Sequence, residues 1–181
     1  MKKDTSDTRL SKIGISNFLS FDNQSPVKLG SLNIFVGKNS SGKSTVLHAL
    51  ALLSETMYDP SEQTGMLLSG NGINLGTFEN VVHKNDISNP IKFDLSFSST
   101  SSPAYDRLTL NLKGEANDLR LGISTMTGYK AQRRSFVIQG KSGGAASFIK
   151  NKSSISKPSW ITCRFDHFLP ISPISAHQGL H

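Results

Sequence analysis

The chain has 181 residues, of which 36% are apolar, and this is enough for one domain with a hydrophobic core. Its formal net charge of +7 favours an anionic partner such as a nucleotide or nucleic acid, although lysines scattered over a solvated surface give the same total. The single cysteine, Cys163, excludes an internal disulfide, and no apolar run approaches the roughly 20 residues of a membrane-spanning helix, so we expect a cytoplasmic protein without membrane contacts.

The predicted elements follow a polar stretch, residues 1–10, that we expect to be disordered. Residues 12–21 (KIGISNFLSF) alternate enough to predict a first strand and the turn after it. A short strand and a Gly30-Ser31 turn then lead into residues 32–36 (LNIFV), which predict a buried strand because nearly all of them are apolar.

Residues 43–57 predict a helix with a broad apolar face, which implies burial against a sheet. The residues of that face are Val46, Leu50, Leu53 and Met57, widened by Leu47 and Ala51. Pro60 and Gly65 end the helix, and a glycine-punctuated connection of short apolar pieces follows.

Beyond Pro90 the pattern changes to strict alternation of apolar and polar residues. The apolar positions of the first run are Ile91, Phe93, Leu95 and Phe97. The runs RLTLNLKG, LRLGISTM and SFVIQG repeat the alternation, which is typical of antiparallel strands with one solvated face. We therefore expect an antiparallel meander of about four strands over residues 91–139.

The remaining chain has weaker signals. We expect a loop over residues 140–158, where complexity is low, one last strand within 159–168, and an irregular tail over 169–181. These boundaries leave a single lobe, residues 11–168, in which residues 11–58 hold the first strands and the predicted helix.

The stretch GKNSSGKST, residues 37–45, lies between the predicted buried strand and the predicted helix. It matches the phosphate-binding pattern G-x-x-x-x-G-K-[ST] in the strand–loop–helix context that this pattern requires. The candidate nucleotide-binding residues are Gly37, Lys38, Asn39, Ser40, Ser41, Gly42, Lys43, Ser44 and Thr45.

Each position of this loop has a physical reason. The first glycine permits a sharp exit from the strand, and the second lets backbone approach the phosphates without a Cβ in the way. Amides from about residue 39 to residue 45 can form an anion nest, at which the helix aims its positive end. Lys43 would neutralise the β- and γ-phosphates, Ser44 would hold Mg²⁺ through its hydroxyl, and Thr45 is placed for a contact with the α-phosphate.

Residues 15–53, ISNFLSFDNQSPVKLGSLNIFVGKNSSGKSTVLHALALL, resemble the opening of the RecF/SMC-like branch of ABC-type ATPases. They are still more similar to AAA-type predicted ATPases related to OLD-family and phage-defence proteins, in which a strand with an Asn-Phe motif precedes a G-x-N-x-S-G-K-S loop. Here the motif is Asn17-Phe18, and Ser40 stands where many ABC relatives have glycine. The resemblance covers roughly residues 11–98.

The resemblance implies an α/β fold, in which the P-loop NTPase core of an ABC/RecF-like N-terminal lobe carries an antiparallel β meander. It implies ATP and Mg²⁺ as ligands, with ATP sandwiched between two such heads in a head-to-head homodimer. A partner such as DNA or a nuclease follows from family analogy alone. Phe18 and Phe21 lie where an N-terminal segment of this class could touch the adenine, although core aromatics on an alternating strand explain them at least as well.

Hydrolysis in this class of ATPase needs an apolar strand that ends in Asp-Glu and a signature serine from the opposite head. The stretch WITCRFDH is the only candidate for that strand, but Arg164 interrupts it and His167 stands where the Glu belongs. For the glutamine that senses the γ-phosphate, Gln63 lies too close to the helix, and Glu79 and His83 are weak candidates. We therefore predict that this chain is the truncated N-terminal portion of an ATPase, which binds Mg·ATP and cannot hydrolyse it alone.

Two other functions stay open. A complete small P-loop phosphotransferase would need an acceptor site and an arginine-rich lid, for which the candidates are Arg133, Arg134 and Arg164. A non-enzymatic module would bind nucleic acid through its basic surface, but aromatic and basic residues are not interleaved in this sequence. The five histidines show no metal-ligand spacing on a recognisable element.

Overall fold

A computed structural model describes residues 8–56, 65–70, 73–99, 105–140, 146–149, 165–166 and 169–170. Within these ranges the chain forms twelve strands, two α-helices and one 3-10 turn. The helices are α1 (Lys43–Thr56) and α2 (Phe78–Val81), and the 3-10 turn is His83–Asn85. The strands are β1 (Thr8–Phe18), β2 (Phe21–Lys28), β3 (Gly65–Leu67), β4 (Ser69–Gly70), β5 (Ile73–Asn74), β6 (Ile91–Ser99), β7 (Arg107–Lys113), β8 (Arg120–Lys130), β9 (Arg133–Gly140), β10 (Ala146–Ile149), β11 (Phe165–Asp166) and β12 (Leu169–Pro170).

Eight of these strands form one sheet in the order β10–β9–β8–β7–β6–β1–β2, which β3 joins by pairing with β8. Every pairing in the sheet is antiparallel. Strands β6 to β9 follow one another in space as in sequence, so the predicted antiparallel meander is confirmed. The described part of the chain is therefore mostly antiparallel β-sheet with few helices, rather than a visible α/β core.

Alternation in β6 and β7 places one face of the sheet in the core. The buried residues are Ile91, Phe93, Leu95 and Phe97 of β6 and Leu108, Leu110 and Leu112 of β7. Strand β1 brings Ile13 and Ile15 to the same cluster, and α1, which packs against β3, brings Val46 and Leu53. Each such side chain, when fully buried, stabilises the fold by about 1.5–3 kcal/mol relative to an exposed one.

The helix lies where it was predicted, but its buried face differs in part. Val46 and Leu53 are buried and Leu50 is half-buried, whereas Leu47 is 52% exposed. Ala49 and Leu52 are fully buried in its place. An α-helix that is apolar over most of its surface offers several adjacent stripes at the same period, and the sequence alone does not say which stripe the sheet covers.

The prediction of a buried strand over residues 32–36 is wrong for this structure. The segment forms no sheet pairing with any of the described residues, and Leu32, Ile34 and Val36 are 80%, 78% and 88% exposed. Only Phe35 packs against the core. An apolar strand is buried when neighbouring strands cover it, and the sequence of the strand itself cannot supply those neighbours.

Several segments that we expected to be irregular contain strand residues. Strand β1 begins at Thr8, inside the stretch expected to be disordered, and β10 pairs with β9 inside the expected loop. At the end of the chain, β11 pairs with β12, which lies in the expected tail. The rest of those segments, together with Met57, Pro60 and Cys163, lies outside the described residues.

Candidate functional site

The phosphate-binding pattern occupies a loop that leads from the exposed segment 32–36 into α1. The ammonium group of Lys43 folds back over this loop, where Nζ donates to the carbonyl oxygens of Gly37 at 2.9 Å and Lys38 at 2.6 Å. An ammonium has three donors, so these two bonds fix its position and leave a third N–H for a ligand.

Gly42 is required by its conformation and by its surroundings. Its φ of +88° lies in the left-handed region, which favours glycine. A Cβ at this position would stand 2.2 Å from Cε1 of Phe21, well inside any permitted contact. The sequence predicts that this glycine lets backbone approach the phosphates, and the structure shows an aromatic ring packed beneath it as well. Ser40, at φ +62°, also adopts the left-handed conformation, which agrees with the glycine that many ABC relatives carry there.

The N-terminus of α1 presents free backbone donors. The first intrahelical bond that closes onto the loop runs from the N–H of Val46 to the carbonyl of Gly42 at 3.3 Å. The N–H groups of Lys43, Ser44 and Thr45 precede it, and no described residue accepts a backbone hydrogen bond from them. These donors and the helix dipole suit an anion.

The two hydroxyls in this first turn differ in accessibility. Ser44 is exposed, so its hydroxyl can reach a ligand or a metal ion. Thr45 is 5% exposed, and its Oγ1 lies 2.7 Å from the hydroxyl oxygen of Ser20. The hydroxyl of Thr45 thus has a protein partner, and the contact of Thr45 with an α-phosphate stays a prediction.

The Asn-Phe motif has a structural explanation. Asn17, with φ +53°, is buried and donates from Nδ2 to the carbonyl oxygens of Asn89 at 2.8 Å and Asp86 at 3.4 Å. Phe18 is fully buried and meets Phe93 edge to face, with ring centroids 5.6 Å apart. The motif thus ties the end of β1 to the segment before β6 and anchors it in the core.

The expectation that Phe18 could touch an adenine is therefore wrong, because no part of its side chain is accessible. The alternative, a core aromatic on an alternating strand, describes it correctly. Phe21 is half-buried and its ring edge lies against Gly42, so it supports the loop from below.

A cleft of about 450 Å³ opens beside the loop. One wall is the loop with the start of α1, and the other is the segment from α2 through the 3-10 turn. The lining residues are Ser40, Gly42, Lys43, Ser44, Thr45 and His48 on the first wall, Asn80, Val82, Lys84 and Asn85 on the second, together with Leu19 and Ser20. The volume lies within the range of ordinary small-ligand sites.

The profile of the AAA ATPase domain (AAA_15) matches residues 9–167. The chain belongs to the AAA_15 family of AAA ATPase domains. No curated protein and no solved structure gives a significant match.

In this AAA ATPase domain the other predicted site residues do not line the cleft or lie outside the described ranges. Glu79 is exposed on α2 without lining the cleft, and His83 uses Nδ1 to donate to the carbonyl of Leu19 at 2.9 Å. Arg133 and Arg134 are exposed at the start of β9. Among the candidates that fall outside the described ranges are Gln63, Arg164 and His167.

The wall opposite the loop was missed by sequence reasoning. Its signal was weak, because Asn80, Lys84 and Asn85 belong to a segment without periodicity. Lys84 and Asn85 both adopt left-handed conformations, with φ of +52° and +59°. Asparagine is the non-glycine residue that most readily enters this region, so the Lys-Asn pair was compatible with a tight turn.

One acidic group near this wall has a shifted pKa. Hydrogen bonds from the side chains of Ser88 and Asn89 and from the Ser88 backbone hold the pKa of Asp86 below its ordinary value. The carboxylate organises the turn that receives Asn17. Elsewhere, Asp94 raises the pKa of Arg107 through a bidentate hydrogen bond and ion pair between β6 and β7.

The described part of the AAA ATPase domain contains neither a metal-ligand cluster nor a membrane-spanning helix. No group of three or more His, Cys, Asp or Glu side chains there has a metal-binding arrangement. None of its helices has the length and apolar character needed to cross a membrane.

Proposed function

We propose that this AAA ATPase domain binds Mg·ATP through residues 37–45. The observation that carries the proposal is the loop itself, where Lys43 and the free N–H groups at the start of α1 converge on one wall of a cleft. Membership of the AAA_15 family supports a nucleotide as the ligand.

The roles follow from the geometry of the loop. The third donor of Lys43 would meet the β- and γ-phosphates, and the N–H groups of residues 43–45 would bind phosphate oxygens. The exposed hydroxyl of Ser44 would be one ligand of Mg²⁺. The ion would bridge phosphate oxygens and neutralise part of their charge.

We further propose that hydrolysis needs protein elements beyond those described. None of the described residues that line the cleft carries a carboxylate, so the cleft wall supplies neither a second Mg²⁺ ligand nor a base for water. Residues 32–36 offer a place for the required strand, because they pair with none of the described strands and Leu32, Ile34 and Val36 are exposed. A strand paired there and ending in carboxylates would bring them to the level of the phosphate loop.

The RecF/SMC-like and OLD-like branch supports a further set of predictions. A head-to-head homodimer would bring a signature serine to the nucleotide from the second head. DNA or a partner nuclease is proposed only by analogy with that branch.

The first half of the proposal, binding of Mg·ATP, is tested by titrating the purified chain with ATP in the presence of Mg²⁺. Lys43→Ala removes the ammonium that faces the triphosphate, and hydrogen bonds to charged groups contribute about 1.5–3 kcal/mol, so affinity should fall at least tenfold. Lys92→Ala, which removes an exposed lysine of β6, is the matched control and should bind as the wild type does. Equal affinity of the wild type and Lys43→Ala would refute the site.

The hydrolysis half is tested by measuring phosphate release from the same preparations. The isolated chain is expected to release no more phosphate than Lys43→Ala. Robust turnover that Lys43→Ala abolishes would show that this chain itself supplies the groups that hydrolysis needs and would overturn this half alone.

A further inference from the structure

We propose that the segment Asn80–Asn85 is the nucleoside-binding wall of this site, with the side-chain amides of Asn80 and Asn85 contacting the base or the ribose. The proposal rests on the proposed ATP binding and deepens it, because the phosphate loop by itself recognises only the triphosphate.

The position of this wall follows from the direction in which a nucleotide must extend. Thr45 is the loop residue placed for the α-phosphate, so the nucleoside leaves the loop on its side. The hydroxyl of Thr45 contacts Ser20, and both residues line the cleft. The wall across that cleft is formed by Asn80, Val82, Lys84 and Asn85.

The wall is held at a fixed distance from the phosphate loop. The N–H of Leu19 donates to the carbonyl of Val81 at 2.6 Å, and Nδ1 of His83 donates to the carbonyl of Leu19 at 2.9 Å. Leu19 precedes Ser20, which contacts α1 through Thr45. One short turn therefore joins both walls, which is the preorganisation that a binding site needs.

Asn80 presents a donor to the cleft. Its Oδ1 accepts two hydrogen bonds at 2.9 Å, from the backbone N–H and from the hydroxyl of Thr77. These bonds orient the amide and occupy its acceptor. The NH₂ group is thus the part of this exposed side chain that is left for a ligand.

Asn85 presents the complementary acceptor. Its Nδ2 donates to the carbonyl of Glu79 at 3.2 Å, which leaves Oδ1 and one N–H. A donor and an acceptor on one wall match the edge of a nucleobase or the hydroxyls of a ribose, which also donate and accept. Left-handed conformations at Lys84 and Asn85 cost free energy and are common at ligand sites, which agrees with this assignment.

The test compares ATP with inorganic tripolyphosphate, each titrated into the wild-type chain with Mg²⁺. If the nucleoside contacts the wall, ATP binds about tenfold or more tightly, since each net hydrogen bond contributes about a three- to tenfold change. Equal affinities for ATP and tripolyphosphate would overturn the inference and leave the phosphate loop assignment standing. Failure of both ligands to bind would refute the proposed function, and this inference with it.

Asn85→Gly makes the test specific to the wall. Glycine tolerates the left-handed backbone, so the variant removes the amide without adding strain. ATP affinity should fall about three- to tenfold, while tripolyphosphate affinity changes less than about twofold. Asn117→Gly, at an exposed turn outside the cleft, is the matched control and should alter neither. An unchanged ATP affinity in Asn85→Gly, or equal losses for both ligands, would contradict the proposal.

Discussion

The side-chain oxygens of Ser20 and Thr45 lie 2.7 Å apart, so a hydrogen bond joins the turn between β1 and β2 to the first turn of α1. Thr45 is 5% exposed, and a buried hydroxyl that loses its partner costs about 1–3 kcal/mol. This bond therefore holds the start of the helix, and the phosphate loop with it, against the sheet.

Ser20→Ala is expected to lower the free energy of unfolding by about 1–3 kcal/mol, because it leaves the Thr45 hydroxyl without a partner. Chemical denaturation measures the difference. Ser16→Ala is a matched control on the same hairpin, where Ser16 donates to Oδ1 of Asn23 at an exposed site, 3.2 Å away. That variant should stay within about 0.5 kcal/mol of the wild type. Equal losses in the two variants would contradict the role of the Ser20–Thr45 bond.

Gly42→Ala is expected to be strongly destabilising and to abolish nucleotide binding. An alanine would cost at least about 1–2 kcal/mol in the left-handed conformation, and its Cβ would also collide with the Phe21 ring. Thermal unfolding and ATP titration report the two effects separately.

The collision can be isolated with a double-mutant cycle. Phe21→Ala removes the ring that meets the new Cβ. The double variant Gly42→Ala, Phe21→Ala should therefore lose less free energy of unfolding than the sum of the losses in the two single variants. Interaction energies of about 0.5–3 kcal/mol are usual for residues in contact. Additive losses would mean that the ring does not press on the loop.

Phe18→Leu tests whether that ring has any contact with the nucleotide. Because Phe18 is fully buried against Phe93, the substitution should reduce the free energy of unfolding by about 1–3 kcal/mol. The affinity of the folded protein for ATP should change less than about twofold. A tenfold loss of affinity in a variant that circular dichroism shows to be folded would restore the adenine contact.

The sequence predicted an element of this fold well where the element depends on neighbouring residues in the chain, and poorly where it depends on contacts with distant segments. Strand β6 was predicted well because Ile91 and Phe93 alternate with polar residues and the strand is paired on both sides. Residues 32–36 carry an equally apolar pattern, but burial depends on neighbouring strands, and the described residues provide none. The same limit applies to α1, where the choice between Leu47 and Leu52 depends on the surface that the helix meets.

The candidate site likewise has one part that the sequence predicts and one part that it does not. The loop at residues 37–45 was named residue by residue from the sequence, since its pattern encodes backbone geometry at fixed spacing, and its binding of phosphate stays a prediction. The opposite wall was not named, because Leu19 holds that segment in place through hydrogen bonds with Val81 and His83, over more than 60 positions of sequence. Phe21 gives a third case, since the sequence placed an aromatic near the nucleotide and the structure places it beneath Gly42.

The lowered pKa of Asp86 predicts a specific pH dependence of stability. Its folded pKa lies below the ordinary value of 3.8, so ionised Asp86 stabilises the fold. The contribution is fully present at neutral pH and is lost as the pH falls below that ordinary value and through the lowered one. The difference in melting temperature between wild type and Asp86→Asn should therefore be constant from about pH 7 to pH 5 and shrink below about pH 4.

Asp22→Asn, which changes an exposed carboxylate of β2, serves as the control for that comparison. Its melting temperature should follow that of the wild type throughout. If the difference between wild type and Asp86→Asn changed mainly between pH 7 and pH 5, the carboxylate would not be the group responsible.

The most direct measurement is a map of backbone amide chemical shifts on addition of ATP and Mg²⁺, which the mass of 19.6 kDa permits. ATP bound in the cleft should give its largest changes at residues 37–45, with a second group at 80–85. Largest changes at the basic turn, residues 130–134, or no saturable change at all, would contradict nucleotide binding by the phosphate loop.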